Sequence, residues 1–438
     1  MFPFLISRGS TIAFLFVTGT FPLFAQSAAP VQAKPADSLV EMMGVNLHLT
    51  IAGSPYFYAF DSIVKPRLKE LGVRHVRDYL RNVDPLETVR GVSMLDRVKQ
   101  LHAQGVDFVF LDTQTENMGK LVGYATAALP YVRIIEGPNE RDMEKTSIYK
   151  GELFPKGAVD FERATYKALK GDPRTARIPY ATESFAHTEH VQAFCDAANC
   201  PADFGDLGTM HSYAGGRPPS ADLERTMRDI RLITGDRPLV TTETGYHTDK
   251  ILSSFAGVSE LAAGKYMARL PFEYLNRHIE LCMLYELIDE PNHGEPDHIE
   301  PDNKEKHFGL LHSNGSEKPS FIVLKRLLAL FNDPGPAFTP RTVAFTSDAP
   351  ADVHQSVLAK RDGRIYIALW HDTTTYDVKT NIDMPSPPVR VTLTLTDKFS
   401  GARVYLPLDG GEPGPIVKMT GRLKVDVPDS VVIVELIP

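Results

Sequence analysis

Cysteine is scarce in this sequence, which excludes folds that depend on a disulfide framework or on a cysteine-rich zinc site. The 438 residues contain three cysteines, too few for either framework. Cys195 and Cys200 bracket the stretch CDAANC and could form a disulfide in an oxidising compartment. Cys282 lies in an apolar run, as expected of a buried small hydrophobic residue. The hydrophobic fraction of 43% predicts that a large packed core stabilises the fold instead.

The sequence also has no excess of positive charge. It contains 47 lysines and arginines against 55 aspartates and glutamates, a formal net charge of -8, and the basic residues are spread along the chain. Nucleic-acid-binding proteins need a basic patch. Composition therefore excludes nucleic acid as the expected partner.

Long apolar runs are absent after the first residues. Residues 1–27 contain one positive charge, Arg8, then an apolar run and small residues, which is the layout of a secretory signal peptide. The alternative is a membrane anchor, but Thr, Gly and Pro interrupt the run, and it is short for a span of about 20 residues. We expect cleavage between Ala25 and Ala28, a secreted or periplasmic mature protein, and no membrane insertion after cleavage.

What the sequence contains in abundance is an alternation of short apolar runs and amphipathic helical stretches, several of which end in Gly. The predicted strands are Met43–Leu47, Val73–Val76, Phe108–Leu111, Val132–Ile135, Tyr180–Thr182, Leu207–Met210, Leu239–Thr242 and Cys282–Tyr285. Eight strand–helix repeats predict a (β/α)8 barrel, also called a TIM barrel. A doubly wound open sheet, which has the same alternation, is the alternative.

Changes in composition divide the chain into four predicted segments. Residues 1–27 are the signal peptide, residues 28–39 an Ala/Pro/Lys-rich linker, and residues 40–335 the barrel. A Pro/Gly-rich stretch near Asp333–Pro340 ends the barrel. Beyond it the hydrophobic pattern has period two with turns between the runs, so residues 336–438 are predicted to form an antiparallel β-sandwich.

Polar side chains follow most of the predicted strands. They are Asn46 and His48, Arg77 and Asp78, Asp112, Asn139 and Glu140, Glu183, His211 and Tyr213, Glu243, and Tyr285 and Glu286. In a (β/α)8 barrel the carboxyl ends of the strands carry the functional groups. Two facing carboxylates suit the cleavage of an acetal, because one gives a proton to the leaving oxygen and the other attacks or activates water.

This arrangement resembles the retaining glycoside hydrolases of clan A. The resemblance is carried by an Asn-Glu pair after strand four, a Glu after strand seven, an Arg after strand two and the sequence HSY after strand six. The segment HFGLLHSNGSEKPSFIVLKRLLALF is also typical of the clan, and a C-terminal β-sandwich recurs in several of its families. The resemblance covers about Val40 to Asp333 and does not identify one family.

The resemblance implies a role for each site residue. Glu140 is expected to be the general acid/base and Glu243 the nucleophile, with carboxyl groups about 5–5.5 Å apart and with Glu140 in the less polar surroundings. The expected substrate-binding residues are Asn139, Arg77, His211, Tyr213, Tyr285 and Glu286. Asn139 would bind the hydroxyl next to the anomeric carbon, Arg77 and Tyr213 would keep Glu243 ionised, and Glu286 would either contact substrate or cap its loop. The resemblance implies a carbohydrate substrate, no cofactor and no metal.

The sequence departs from the clan pattern in its aromatic residues. Many members have a Trp after strand eight, where this chain has Tyr285, and its single Trp, Trp370, lies in the predicted sandwich. Long polysaccharide clefts usually use Trp platforms, so we expect a pocket or a short cleft. Arg141 also stands where many members have Pro.

Several alternatives stay open at this stage. Glu136 could be a further site carboxylate or a salt-bridged residue inside the barrel, and the acidic segment 289–307 could bind a metal or be a solvated loop. The same site would serve a transglycosylase, and a barrel without activity would be a carbohydrate-binding protein. The sequence does not specify the sugar, exo or endo action, or the oligomeric state.

Overall fold

The computed structural model describes residues 30–113, 116–249, 255–291 and 303–438. The predicted signal peptide lies outside the described residues, as does residue range 292–302 of the acidic segment. In the part of the chain that is described, no helix combines the length and the apolar character needed to cross a membrane.

The first described residues form two short strands, β1 (Pro30–Gln32) and β2 (Lys34–Pro35), followed by helix α1 (Asp37–Met42). β1 pairs with residues 342–344 and β2 with residues 358–359, both in the C-terminal region. The prediction of a linker over residues 28–39 is therefore wrong for its described part. Both strands lie at sheet edges, where a proline can be accommodated although it lacks a backbone N–H. The proline-rich composition therefore predicted a linker where the structure has edge strands.

Eight parallel strands form the barrel. They are β3 (Met43–Asn46), β4 (His75–Tyr79), β5 (Asp107–Leu111), β6 (Val132–Glu136), β7 (Tyr180–Ala181), β8 (Gly208–His211), β9 (Leu239–Thr244) and β10 (Cys282–Leu284). The hydrogen-bonded order is β7-β6-β5-β4-β3-β10-β9-β8. The sheet closes between β7 and β8, where Ala181 bridges to Leu207 and the backbone N–H of Thr182 donates to Leu207 at 3.0 Å. The barrel prediction is confirmed, and the open sheet is excluded.

Helices follow the barrel strands on the outside. They are α2 (Pro55–Tyr58), α3 (Lys65–Leu71), α4 (Met94–His102), α5 (Met118–Ala128), α6 (Lys156–Gly171), α7 (Val191–Ala198), α8 (Leu223–Thr234), α9 (Glu260–Asn276) and α10 (Pro319–Phe331). The glycine stop is visible at α3, where Gly72 has φ +82° and its N–H donates to the Leu68 carbonyl. Cys195 and Cys200 form a disulfide at the end of α7, and Cys282 is free and buried.

The C-terminal residues, with β1 and β2, form two packed sheets that are antiparallel except for the β2–β12 pair and have a hydrophobic core of their own. The strands are β11 (Thr342–Ser347), β12 (Val353–Ala359), β13 (Ile365–His371), β14 (Tyr376–Asp377), β15 (Ile382–Asp383), β16 (Val389–Leu395), β17 (Gly401–Tyr405), β18 (Val417–Lys418), β19 (Arg422–Val427) and β20 (Val432–Ile437). One sheet has the order β1-β11-β16-β19, the other has the order β18-β17-β20-β13-β12-β2, and β14 and β15 form a separate hairpin. The predicted β-sandwich is confirmed.

Strand β13 joins the sandwich to the barrel because its alternate side chains face different cores. Ile365, Ile367 and Leu369 belong to the sandwich core, whereas Tyr366 and Trp370 belong to the barrel core. Trp370 stacks on Phe272 of α9 at 5.6 Å between ring centroids, and its indole N–H donates to Glu273 at 2.7 Å. The single tryptophan is thus a packing residue between the two domains.

Candidate active site

The carboxyl ends of the barrel strands open into one cavity of about 690 Å³. Seven of the eight predicted site residues line it: Arg77, Asn139, Glu140, His211, Tyr213, Glu243 and Tyr285. They lie at the ends of five strands, β4, β6, β8, β9 and β10, and they meet because parallel strands of a barrel end on the same face. Glu286 does not line the cavity.

Arg77 is the centre of the hydrogen-bond network beneath the cavity. Its side chain is 5% exposed. Nη1 donates to Glu243 Oε1 at 2.6 Å and to Asn46 Oδ1 at 2.9 Å, and Nη2 donates to Asn139 Oδ1 at 2.7 Å. The guanidinium also forms a two-bond pair with Glu136, with Nε to Oε2 at 2.5 Å and Nη2 to Oε1 at 3.0 Å. One arginine therefore fixes the position of Glu243 and of Asn139.

Glu136 lies inside the barrel layer. Its side chain is fully buried, and Oε1 also accepts a hydrogen bond from Thr242 Oγ1 at 2.8 Å. It does not line the cavity. This geometry agrees with the interpretation of Glu136 as a salt-bridged residue inside the barrel.

Glu243 is held as a carboxylate. Besides Arg77, it accepts a hydrogen bond from Tyr213 Oη at 2.8 Å. Burial raises its pKa, but the charges of His211 and Arg77 and the hydrogen bonds from Tyr213 and Arg77 lower it more, so the pKa of Glu243 lies below the usual value. Burial and the charge of Glu243 raise the pKa of Tyr213 well above its usual value, which keeps the phenol a donor.

Glu140 has a different environment. It lies in the left-handed region, with φ +46° and ψ +45°, and its backbone N–H donates to the Ser184 carbonyl at 3.1 Å. Its Oε1 is 2.6 Å from His211 Nδ1. The side chain of Glu140 is 29% exposed, against 11% for Glu243. The expectation that Glu140 has the less polar surroundings is therefore not met, because it lies nearer the cavity mouth and contacts an imidazole.

His211 connects the two carboxylates. Its Nδ1 is 2.6 Å from Glu140 and 3.7 Å from Glu243 Oε2. Burial lowers the pKa of His211, but Glu243 and Glu140 raise it more, so it lies above its usual value. One side-chain atom from each of Glu140, His211 and Glu243 lies within 4.8 Å of the other two. A metal ion could bridge such a group, but the Arg77 guanidinium, 2.6 Å from Glu243, would repel it.

The prediction that Glu286 contacts substrate is wrong. Its carboxylate is fully buried, accepts a hydrogen bond from Tyr56 Oη at 2.9 Å and lies 3.3 Å from His48 Nδ1. Burial and the neighbouring Glu290 raise the pKa of Glu286 well above its usual value. Glu286 contacts His48 on the side away from the cavity, and His48 itself lines the cavity. The position of Glu286 after strand eight in the sequence did not predict its burial, because that position does not determine the direction of the side chain.

An aromatic wall closes one side of the cavity. Tyr213 and Tyr285 both pack on Phe308, with ring centroids 5.6 and 5.3 Å apart, and Tyr213 also packs on Phe255 at 5.5 Å. The two phenylalanines were not among the predicted site residues, and neither were Lys304 and Glu305, which also line the cavity. Phe255 and Phe308 lie in loops, and Lys304 and Glu305 lie in a single-turn 3-10 helix. In such short or irregular segments no periodic pattern distinguishes a cavity residue from any other.

No protein-family model and no curated protein matches the sequence. Solved structures of glycoside hydrolases, however, match almost the whole chain. A glucosidase from Croceicoccus marinus aligns with TM-score 0.62 and 12% identity over 94% of this chain and 98% of its own. A family 39 glycoside hydrolase from Bacteroides cellulosilyticus WH2 aligns with TM-score 0.59 and 15% identity over 92% of this chain and 82% of its own.

A family 51 α-L-arabinofuranosidase from Bifidobacterium longum aligns with TM-score 0.57 and 12% identity, over 93% of this chain and 97% of its own. At such low identity the likeness establishes the fold alone. The chain has the barrel-and-sandwich fold of clan A glycoside hydrolases, and the predicted resemblance to that clan is confirmed at the level of the fold.

Proposed function

We propose that this protein is a retaining glycoside hydrolase in which Glu140 is the general acid/base and Glu243 is the nucleophile. The observation that carries the proposal is that the two carboxylates share one cavity, with an oxygen of each within 4.8 Å of the other. Inverting enzymes keep their carboxyl groups roughly 6.5–9.5 Å apart to admit a water, whereas retaining enzymes keep them about 5–5.5 Å apart.

The neighbours of each carboxylate suit its step. In the first step Glu140 gives its proton to the glycosidic oxygen while Glu243 attacks the anomeric carbon, which forms a covalent glycosyl-enzyme. In the second step Glu140 takes a proton from the water that attacks the same carbon, and Glu243 leaves as a carboxylate. Arg77 and Tyr213 stabilise Glu243 in its charged form before and after the reaction. His211 Nδ1 contacts Oε1 of Glu140, which leaves Oε2 to carry the proton.

Asn139 is proposed to bind the sugar hydroxyl next to the anomeric carbon. Its amide oxygen accepts a hydrogen bond from Arg77 Nη2 at 2.7 Å. The amide nitrogen therefore remains to donate to substrate. This contact would strengthen as positive charge develops on the sugar ring.

The substrate is proposed to be an oligosaccharide or a chain end. The cavity volume of about 690 Å³ is that of a ligand pocket. Its aromatic surfaces come from Tyr and Phe, while Trp370 is buried between the domains. We further propose that the protein is secreted or periplasmic, a location in which the Cys195–Cys200 disulfide would be stable.

The test is hydrolysis of a panel of aryl glycosides of different configurations. The wild type is expected to release a sugar whose anomeric configuration is retained by NMR, and Glu243→Gln is expected to abolish turnover without loss of folding. Activated 2-fluoro glycosides should label the peptide that contains Glu243. Glu183→Gln is the matched control, because Glu183 is a buried strand-end glutamate that does not line the cavity.

Four results would contradict or change the proposal. An inverted product, or full activity of Glu243→Gln, would exclude the retaining mechanism. Binding of oligosaccharides without any turnover would identify a carbohydrate-binding protein. Longer oligosaccharides in place of free sugar would identify a transglycosylase.

A further inference from the structure

Glu136 has no access to the cavity, yet it is bound to the residue that positions the nucleophile. It is the last residue of β6 and is fully buried. Its carboxylate binds the guanidinium of Arg77 through two hydrogen bonds and accepts a third from Thr242, the residue before Glu243. Glu136 therefore contacts both the arginine and the strand that hold the nucleophile.

The hydrogen bonds of Arg77 fix the orientation of its guanidinium plane. A guanidinium has five N–H groups in a fixed plane, and the five bonds of Arg77 go to Glu136, Asn46, Glu243 and Asn139. Glu136 occupies the edge formed by Nε and Nη2. With that edge paired, Nη1 faces Glu243 and the second N–H of Nη2 faces Asn139. Without it, two buried N–H groups would lack partners, and the plane would be free to turn.

Glu136 also balances charge. Arg77 is the cation shared by Glu136 and Glu243, at 2.5 and 2.6 Å. Other titratable groups facing Glu243 are His211, Glu140, Tyr79, Tyr213, Tyr285 and Glu305. Of the fully buried carboxylates in the described part of the chain, Glu136 is the one that is paired with the same guanidinium as the nucleophile. Its negative charge reduces the positive potential that Arg77 exerts on Glu243.

We propose that Glu136 is a positioning residue that orients Arg77 and offsets part of its charge, so that Glu243 is aligned and remains basic enough to attack the sugar. The proposal rests on the proposed function, since it assigns a role toward the same nucleophile. Removal of the Glu136 charge should make Glu243 a weaker base. Glycosylation, in which Glu243 attacks, should become slower, while deglycosylation, in which Glu243 leaves, should become faster.

The experiment compares Glu136→Gln with wild type and with Glu162→Gln, which removes a buried glutamate that does not touch Arg77. The titration of the Glu243 carboxyl carbon is followed by NMR on protein labelled with 13C in its glutamates, and its signal is assigned by its loss in Glu243→Gln. The midpoint in Glu136→Gln is expected to fall by about one pH unit. Pre-steady-state hydrolysis of a dinitrophenyl glycoside should show glycosylation slowed about tenfold and any burst of dinitrophenol diminished. Glu162→Gln should change neither.

Glu136→Asp separates charge from orientation. Aspartate keeps the buried negative charge but is too short to hold the guanidinium edge in the same position. Its Glu243 midpoint should not fall as it does in Glu136→Gln, while its kcat falls. Glu136→Asp also tests the positioning role if Glu136→Gln does not fold. A wild-type kcat in Glu136→Asp would overturn that role.

A Glu243 midpoint that is unchanged or raised in folded Glu136→Gln would also overturn the proposal. The NMR titration does not require turnover. A wild type that cleaves no aryl glycoside would therefore disprove the proposed function, while the titration still decides whether Glu136 controls the nucleophile carboxyl.

Discussion

Glu140 and Glu243 have the same side chain, but the residues around them differ, as the two roles proposed for them require. Glu243 is bound by a guanidinium and a phenol, both of which favour the carboxylate. Glu140 contacts an imidazole and is the more exposed of the two. A proton can thus reach Glu140 from solvent, whereas Glu243 is enclosed among donors that favour its charged form.

Replacement of Glu140 should affect substrates according to their leaving groups. Glu140→Ala is expected to lower kcat/KM by about 10²- to 10⁴-fold for poor leaving groups, because these need the proton. Dinitrophenyl glycosides should still form the glycosyl-enzyme at nearly the wild-type rate. Added azide should then rescue the second step and give a glycosyl azide of retained configuration, which NMR would identify.

The control for this prediction is Glu183→Gln, which should show no dependence on the leaving group and no azide rescue. An equal loss of activity for good and poor leaving groups in Glu140→Ala would exclude Glu140 as the acid. An azide product of inverted configuration would exclude a covalent intermediate on Glu243.

At the scale of secondary-structure elements, helix α6 packs against strand β7 through a buried carboxyl group. Glu162 of α6 is fully buried and accepts a hydrogen bond from Tyr180 Oη at 3.0 Å. A Cβ atom at Gly137 would clash with Glu162 Oε1, so a glycine is required where the chain leaves β6 for the loop that carries Glu140. Burial raises the pKa of Glu162 to about 8.

This packing predicts a pH dependence of stability. The folded protein keeps the Glu162 proton up to about pH 8, whereas an unfolded glutamate loses it near 4.5. The unfolded state is therefore favoured as pH rises between these values, and the contribution of Glu162 to stability falls. Urea unfolding at pH 5 and pH 8 should show that Glu162→Gln loses less stability over this range than wild type.

An exposed glutamate close to the same helix provides the comparison. Glu152→Gln, whose side chain is 50% exposed, should keep the wild-type pH dependence. If Glu162→Gln lost as much stability as wild type between pH 5 and pH 8, the carboxyl group would not be protonated in the folded protein.

At the scale of the whole molecule, the sandwich and the barrel are joined by an apolar and hydrogen-bonded interface. Glu273 of α9 accepts hydrogen bonds at the same oxygen from Trp370 Nε1 and from His354 Nδ1, both at 2.7 Å. The sandwich also reaches the loop that forms one cavity wall, where Ser220 donates to Asp372 at 2.6 Å. Strands β1 and β2 precede the barrel in the chain but pair within the sandwich, so the sandwich is built from two segments that flank the barrel in sequence.

Truncation of the single tryptophan should destabilise the interface between the barrel and the sandwich. Trp370→Ala is expected to cost about 3–5 kcal/mol of unfolding free energy, because it opens a cavity beside Phe272 and removes one donor from Glu273. Trp370→Phe keeps a ring on Phe272 and should cost less. Urea unfolding measures both, and the activity per folded molecule should stay at the wild-type level.

A loss below about 1 kcal/mol for Trp370→Ala would show that the interface contributes little to stability. Weaker binding of oligosaccharides by the folded variant would contradict the placement of Trp370 as a packing residue and indicate a role in sugar stacking.

Local patterns in the sequence were sufficient for the barrel strands and for most of the site. An apolar run that ends where polar residues begin predicted strands at Val132–Ile135 and Leu239–Thr242 without any tertiary contact, and the structure has Val132–Glu136 and Leu239–Thr244. Because all strands of the barrel are parallel, position after a strand was enough to predict that Asn139, Glu140 and Glu243 share one cavity.

Features that depend on long-range contacts were decided only by the tertiary structure. The direction of the Glu286 side chain, the pairing of Glu136 with Arg77 and the edge strands β1 and β2 all depend on residues distant in sequence, so no local period reports them. The loop residues Phe255 and Phe308 enter the cavity for the same reason. Sequence determines which residues follow a strand; whether such a side chain faces the cavity, a partner or the core depends on the packing of the whole chain.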